Sequence, residues 1–88
     1  MDILQTMKWD AALKVGDHVK VRWTTSHNYY AQPGVVVKLN RESVRVALDN
    51  EVRAGNELLY PKGREIRVPR CTFNSIKLWS VNNGVFPL

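Results

Sequence analysis

The sequence predicts an all-β protein, a small closed antiparallel barrel of five to six strands preceded by one short N-terminal helix. Three observations predict it. From Val15 onward the apolar residues recur at every second position, the period of a half-buried strand. Turn dipeptides, among them Gly16-Asp17, Pro33-Gly34 and Asn83-Gly84, punctuate those segments. The chain has 88 residues, 44% hydrophobic and 24% charged; that is one domain's worth, and a flat open sheet of this size would be marginal where a barrel removes its own edges.

The elements follow in order. Residues 2–13 read as a helix, because Asp2 can cap it, Ile3, Leu4, Met7 and Ala11 fall near one face, and no Gly or Pro interrupts before Gly16. Gly16-Asp17 opens strand one at 17–23, with Val19, Val21 and Trp23 on one face and His18, Lys20 and Arg22 on the other. Thr24 to Gln32 reads as a polar loop. Pro33-Gly34 then introduces strand two, with Val35, Val37 and Leu39 inward, and a short polar connection leads to Val44, Val46 and Leu48 of strand three, an antiparallel hairpin. A second hairpin is expected from strands at 57–60 and 64–68 around Pro61-Lys62-Gly63. Pro69 ends its second strand for want of an N–H, and Cys71 to Asn74 reads as a 3₁₀ turn before strand five at 75–79, which carries Ile76 and Leu78. Asn83-Gly84 turns Val85, Phe86 and Leu88 back onto the barrel. The organisation is thus a helical segment 1–13, a barrel 14–80 and a docked C-terminal turn 81–88.

Composition narrows the function classes. The longest apolar run, Val35 to Val37, is far short of the roughly 18 residues of a membrane span, and no signal-peptide core follows Met1, so a soluble cytoplasmic protein with no membrane partner is expected. Cys71 is the single cysteine and His18 and His27 the only histidines, which excludes an intrachain disulfide and a Cys/His zinc cage. No cofactor motif is present. A nucleophile, a base and an orienting acid do not assemble from His18, His27, Asp17, Ser26 or Cys71 on sequence grounds, so no catalytic residue is assigned and no enzyme is expected. Thirteen Lys and Arg against eight Asp and Glu give a net charge of +5, a balance that favours polyanionic partners.

Two constellations carry the functional reading. Lys20, Arg22, Lys38, Arg45, Arg67 and Lys77 occupy outward strand positions with Glu65 the one acid among them, which suits recognition of a phosphate backbone. A solvated barrel exterior uses the same residue types as protection against edge pairing. In the 24–32 segment, Tyr29 and Tyr30 are adjacent, so at least one ring is expected outside. Such a ring offers a stacking platform for unpaired bases, while His27, Asn28 and Gln32 can read base edges or a peptide backbone. The expected function is a non-catalytic nucleic-acid-binding module, for DNA or RNA. The alternative is an adaptor or inhibitor that binds protein through Tyr29, Tyr30 and the terminal Trp9 and Trp79.

The order Val15-Gly16-Asp17-His18-Val19-Lys20-Val21, then Pro33-Gly34-Val35-Val36, then Ser43-Val44-Arg45-Val46-Ala47-Leu48, then Ile66-Arg67-Val68-Pro69 resembles an SH3-like barrel of the KOW and Tudor type across residues 13–79. In place of the Gly-rich KOW loop the chain has Thr24 to Gln32. The Tudor resemblance implies that Trp23, Tyr29 and Tyr30, with Tyr60 or Trp79, could line an aromatic cage for a methylated cation. A remoter resemblance is to the SH3-like tetrameric plasmid-type dihydrofolate reductases, whose pore carries Val-Gln-Ile-Tyr; the nearest text here, Leu58-Leu59-Tyr60-Pro61, has no Gln.

Overall fold

Alternating valines and short polar connections give a protein that is antiparallel β throughout its described part. The computed structural model describes residues 6–8, 13–73, 76–80 and 83–88. The strands are β1 (Thr6–Lys8), β2 (His18–Thr24), β3 (Tyr29–Leu39), β4 (Ser43–Leu48), β5 (Val52–Ala54), β6 (Glu57–Tyr60), β7 (Glu65–Pro69), β8 (Cys71–Phe73), β9 (Ile76–Ser80) and β10 (Gly84–Pro87). The main sheet has five of them in the order β10-β2-β3-β4-β7; β1-β9-β8 and β5-β6 form two smaller sheets. No helix among the described residues is long and apolar enough to cross a membrane.

The turns explain the main sheet. Gly16, at φ 97°, takes the left-handed conformation that the bend before β2 needs. Its N–H donates to the Val36 carbonyl at 2.7 Å, and the Asp17 carboxylate accepts from the Lys14 N–H at 2.8 Å. The β2–β3 hairpin closes on residues 25–28, where the Thr25 N–H donates to the Asn28 carbonyl at 2.8 Å and the Asn28 N–H to the Thr25 hydroxyl at 3.2 Å. In the β3–β4 hairpin the Asn40 N–H donates to the Ser43 carbonyl at 2.8 Å.

The core lies on the inner face of this sheet. Val21, Val36, Val44 and Val46 are completely buried, joined by Val19, Trp23, Leu48, Val52, Ile66, Val68 and Val85. Leu39 packs against them partly buried. Val35 and Val37 do not belong to the core: Val35 is half-buried and Val37 is 39% exposed, whereas Val36, expected outside, is buried. The pairing Val36↔Val46 is followed by Lys38↔Arg45, so Val37 is an unpaired bulge residue and two consecutive side chains, Val37 and Lys38, face out. The alternation then resumes with Leu39 inward.

Several expectations are corrected. The expected helix over 2–13 is replaced at 6–8 by β1, whose cross-strand pairing with β9 overrides the helical spacing, and the rest of that span falls outside the described residues. The 24–32 loop is a four-residue turn, because Tyr29 to Gln32 extend β3 and pair with Trp23 to Val21 and Thr24 of β2. Pro33-Gly34 is not a turn but the middle of that long strand. Pro33 is tolerated there because the backbone side from which its N–H is missing faces Asp49, one residue past the end of β4; its carbonyl still accepts the Asp49 N–H at 3.1 Å. The strand at 57–60 pairs not with 65–69 but with β5, around Gly55-Asn56, while β7 pairs with β4. Residues 71–73 form a strand on β9 rather than a 3₁₀ turn.

The expected barrel is not closed. β7 and β10 are the two edges of the main sheet; they approach one another, but no ladder joins them. β10 pairs along β2 with Val85 opposite Val21, and both Val85 and Phe86 are buried. Val85 shares the inner face with Val21. Phe86 shares the outer face with Lys20, so β10 is covered on both sides.

Candidate nucleic-acid interface

Strand pairing places three of the expected cations side by side. Lys38 lies opposite Arg45, and Arg45 lies opposite Arg67, so β3, β4 and β7 each contribute one residue to a single row across the outer face. Adjacent strands lie about 4.8 Å apart, so the row spans about 10 Å. Lys38 and Arg67 are exposed and Arg45 half-buried. The Arg45 guanidinium comes within 3.9 Å of the Glu65 carboxylate, with both side chains about half exposed, so solvent screens the pair and it contributes about 0 to 1 kcal/mol.

The bulge at Val37 makes this row possible. Without the extra residue Lys38 would fall on the inner face, because strand alternation has a period of two. Like charges directly opposite on adjacent strands repel, by about 0.2 to 1 kcal/mol a pair. One carboxylate offsets three cations. The β3–β4 turn beside the row carries Arg41, exposed, and Arg70 follows β7, its N–H donating to the Glu42 carbonyl at 2.9 Å. Burial holds the Arg70 guanidinium below its usual pKa. Neither arginine follows from strand alternation, since one is in a turn and the other after a strand end; their closeness to the Lys38 end of the sheet comes from the pairing of Ser43 with Pro69.

The remaining cations are set apart. Arg22 is half-buried, its guanidinium 4.8 Å over the Phe86 ring, so it serves to pack β10 onto β2. Lys20 lies between Phe86 and Pro33 on neighbouring strands and is half-buried. Lys77 falls on β9, in the three-stranded sheet, and its side chain lies outside the described residues.

The aromatic residues divide between the two faces of β3. Tyr30 faces inward and stacks on Trp23, ring centroids 5.1 Å apart and 20° from parallel. Tyr60 meets both rings edge-on, at 5.3 Å from Trp23 and 5.4 Å from Tyr30. Three rings do converge, as a cage would require, but these distances are those of rings in mutual contact. The space a cation would occupy is filled by the rings themselves. The cluster is the end of the core, and Arg64 stands outside it, 6.0 Å from the Tyr60 ring centre. Tyr29, one residue away, points outward and is 49% exposed. His27 and Asn28 are exposed in the turn, and Gln32 is half-buried on the inner side opposite Val21. Trp9 lies outside the described residues, and Trp79 is placed on β9 opposite Met7.

These features define an all-β protein with antiparallel sheets and a basic row on one sheet face. No protein-family model matches the chain, and comparison with curated proteins and with solved structures gives no match.

Proposed function

We propose that the protein is a non-catalytic nucleic-acid-binding module that contacts phosphates through the outer face of its main sheet. The observation that carries this reading is the row Lys38, Arg45 and Arg67: three cations on three adjacent strands, held close at a repulsive cost and offset by one carboxylate. A polyanion laid across the row relieves that repulsion and releases its own counterions. The finer fold description we favour is an SH3-like small barrel left open between β7 and β10. The strand order supports it, since β10 returns to lie beside β2 and the sheet's two edges draw near.

Fluorescence anisotropy with labelled single- and double-stranded DNA and RNA tests the reading. Three phosphate contacts predict an affinity loss of about 20- to 40-fold between 50 and 200 mM salt, from slopes near 0.7 per contact for single strands and 0.9 for duplexes. Absence of binding to every one of these probes at 50 mM salt would sink the proposal and promote the adaptor reading. That second reading rests on the exposed Tyr29 ring, and its binding would change little with salt.

A further inference from the structure

We infer that the occupant of this surface is a single strand, lying along the outer face of β3 from the cation row at one end to the Tyr29 ring at the other; the inference rests on the nucleic-acid reading above. The outward residues of β3 are Tyr29, Ala31, Pro33 and Val35, followed by Val37 and Lys38 at the bulge. Between the two ends the lane is floored by Ala31, Pro33 and Val35, with Ala47 beside Val35, and none of these carries charge or a long side chain. Lys20 borders it on the β2 side at Pro33. Of the acids near it, Asp49 at Pro33 and Glu65 beyond Ala47 lie on the β4 and β7 side, and Asp17 stands just before β2, its carbonyl accepting the Val36 N–H at 3.0 Å. Charge therefore favours a polyanion on the β2 side where Lys20 borders Pro33, and over Lys38 at the far end.

The exposed ring decides between strand types. In a duplex the base faces are already stacked on one another, so Tyr29 finds a free π-face only on an unpaired base. From Tyr29 to Lys38 the strand covers about 30 Å at roughly 3.3 Å per residue. A stacked strand at about 3.4 Å per nucleotide covers that with about nine nucleotides. A stretched one needs about five, and both values lie inside the range of roughly 4 to 16 nucleotides of single-strand-binding folds.

The test is a length series of labelled oligo(dT), of 4, 7, 10 and 15 nucleotides, with a 15-base-pair duplex, measured at 50 mM salt on the full chain and on the Tyr29→Ala, Tyr29→Phe and Lys38→Ala variants. Affinity of the unaltered chain should climb between 4 and 10 nucleotides and then level off. Tyr29→Ala should lose about 5- to 160-fold on the 10- and 15-mers and nothing on the 4-mer or the duplex, while Tyr29→Phe keeps the affinity of the unaltered chain. Lys38→Ala should weaken every probe alike. If the unaltered chain binds but Tyr29→Ala is without effect, or lowers all lengths and the duplex equally, the lane is wrong while the phosphate row stands. If the unaltered chain binds none of the probes, the nucleic-acid reading itself fails.

Discussion

Replacing Gly34 by Ala inserts a single methyl group at the tightest point of the main sheet. Gly34 sits in mid-strand between β2 and β4, and a Cβ built there lies 2.6 Å from the Ala47 carbonyl oxygen and 2.6 Å from a Val46 γ-methyl, with the Ala47 carbonyl carbon at 3.3 Å. Ordinary contact begins about 0.8 Å farther out, and the oxygen is backbone, so no rotamer change relieves it. β3 and β4 must separate locally, and the Val46 γ-methyl must shift. Overpacking of this kind costs about 1 to 3 kcal/mol. The stiffer unfolded chain returns roughly 0.4 to 1 kcal/mol. The net cost is about 0.6 to 2 kcal/mol, against a total stability of roughly 4 to 13 kcal/mol for a chain this size, and at about 4 to 8 °C per kcal/mol Gly34→Ala should lower the melting temperature by about 2 to 16 °C. Thermal melts followed by circular dichroism, with urea titrations beside them, measure it. Adding Val46→Ala should couple favourably with Gly34→Ala, since it removes the methyl clash but not the carbonyl one. A Gly34→Ala protein that melts at or above the parent temperature would refute the close approach of β3 and β4.

Two further substitutions separate stability from binding. Glu65→Gln removes the one carboxylate offsetting the basic row, so it should tighten nucleic-acid binding and steepen its salt dependence in anisotropy titrations, while the melting temperature barely moves because the Arg45–Glu65 pair is half exposed. Tyr30→Ala removes a ring packed on Trp23 and Tyr60, and should destabilise the fold by about 1 to 3 kcal/mol in urea titrations without the selective loss of single-strand affinity expected of Tyr29→Ala.

The sequence was most legible where alternation ran unbroken. Val19, Val21, Val44, Val46, Leu48, Ile66 and Val68 are all buried as their spacing indicates, because in β2, β4 and β7 each residue faces the partner its period assigns. Strand β3 misled at two places for two reasons. A bulge is one extra residue with no sequence mark of its own in a run of three valines, so Val35, Val36 and Val37 each take the face opposite to the one the spacing assigns. Pro33-Gly34 carries the composition of a turn, and what allows it in a strand is the point at which β4 stops, a fact of pairing rather than of local sequence. Hairpin partners were legible only where the turn was short. Tyr60 and Ile66 flank a good turn dipeptide, yet Val52 provides the partner for Tyr60, and a three-residue strand such as Val52–Ala54 offers too little pattern to find. Of the basic residues, the outward positions of Lys38, Arg45 and Arg67 were readable. Their standing in one row was not, because register between strands decides it.

The pairing of β10 with β2 bears on the order in which the molecule assembles. The β2–β3 and β3–β4 pairs join neighbours in sequence across short turns, so each closes a small loop. Val85 meets Val21 only after a loop of some sixty residues has been closed, at an entropic cost of about 4 kcal/mol on the logarithmic scaling of loop length. That cost falls once the intervening hairpins have folded and shortened the effective loop, so the meander is expected to form first and β10 to seat afterwards. Val85 and Phe86, both buried, would then act as a latch: Val85→Ala or Phe86→Ala should accelerate unfolding while leaving the folding rate nearly as it was, which stopped-flow chevron measurements check.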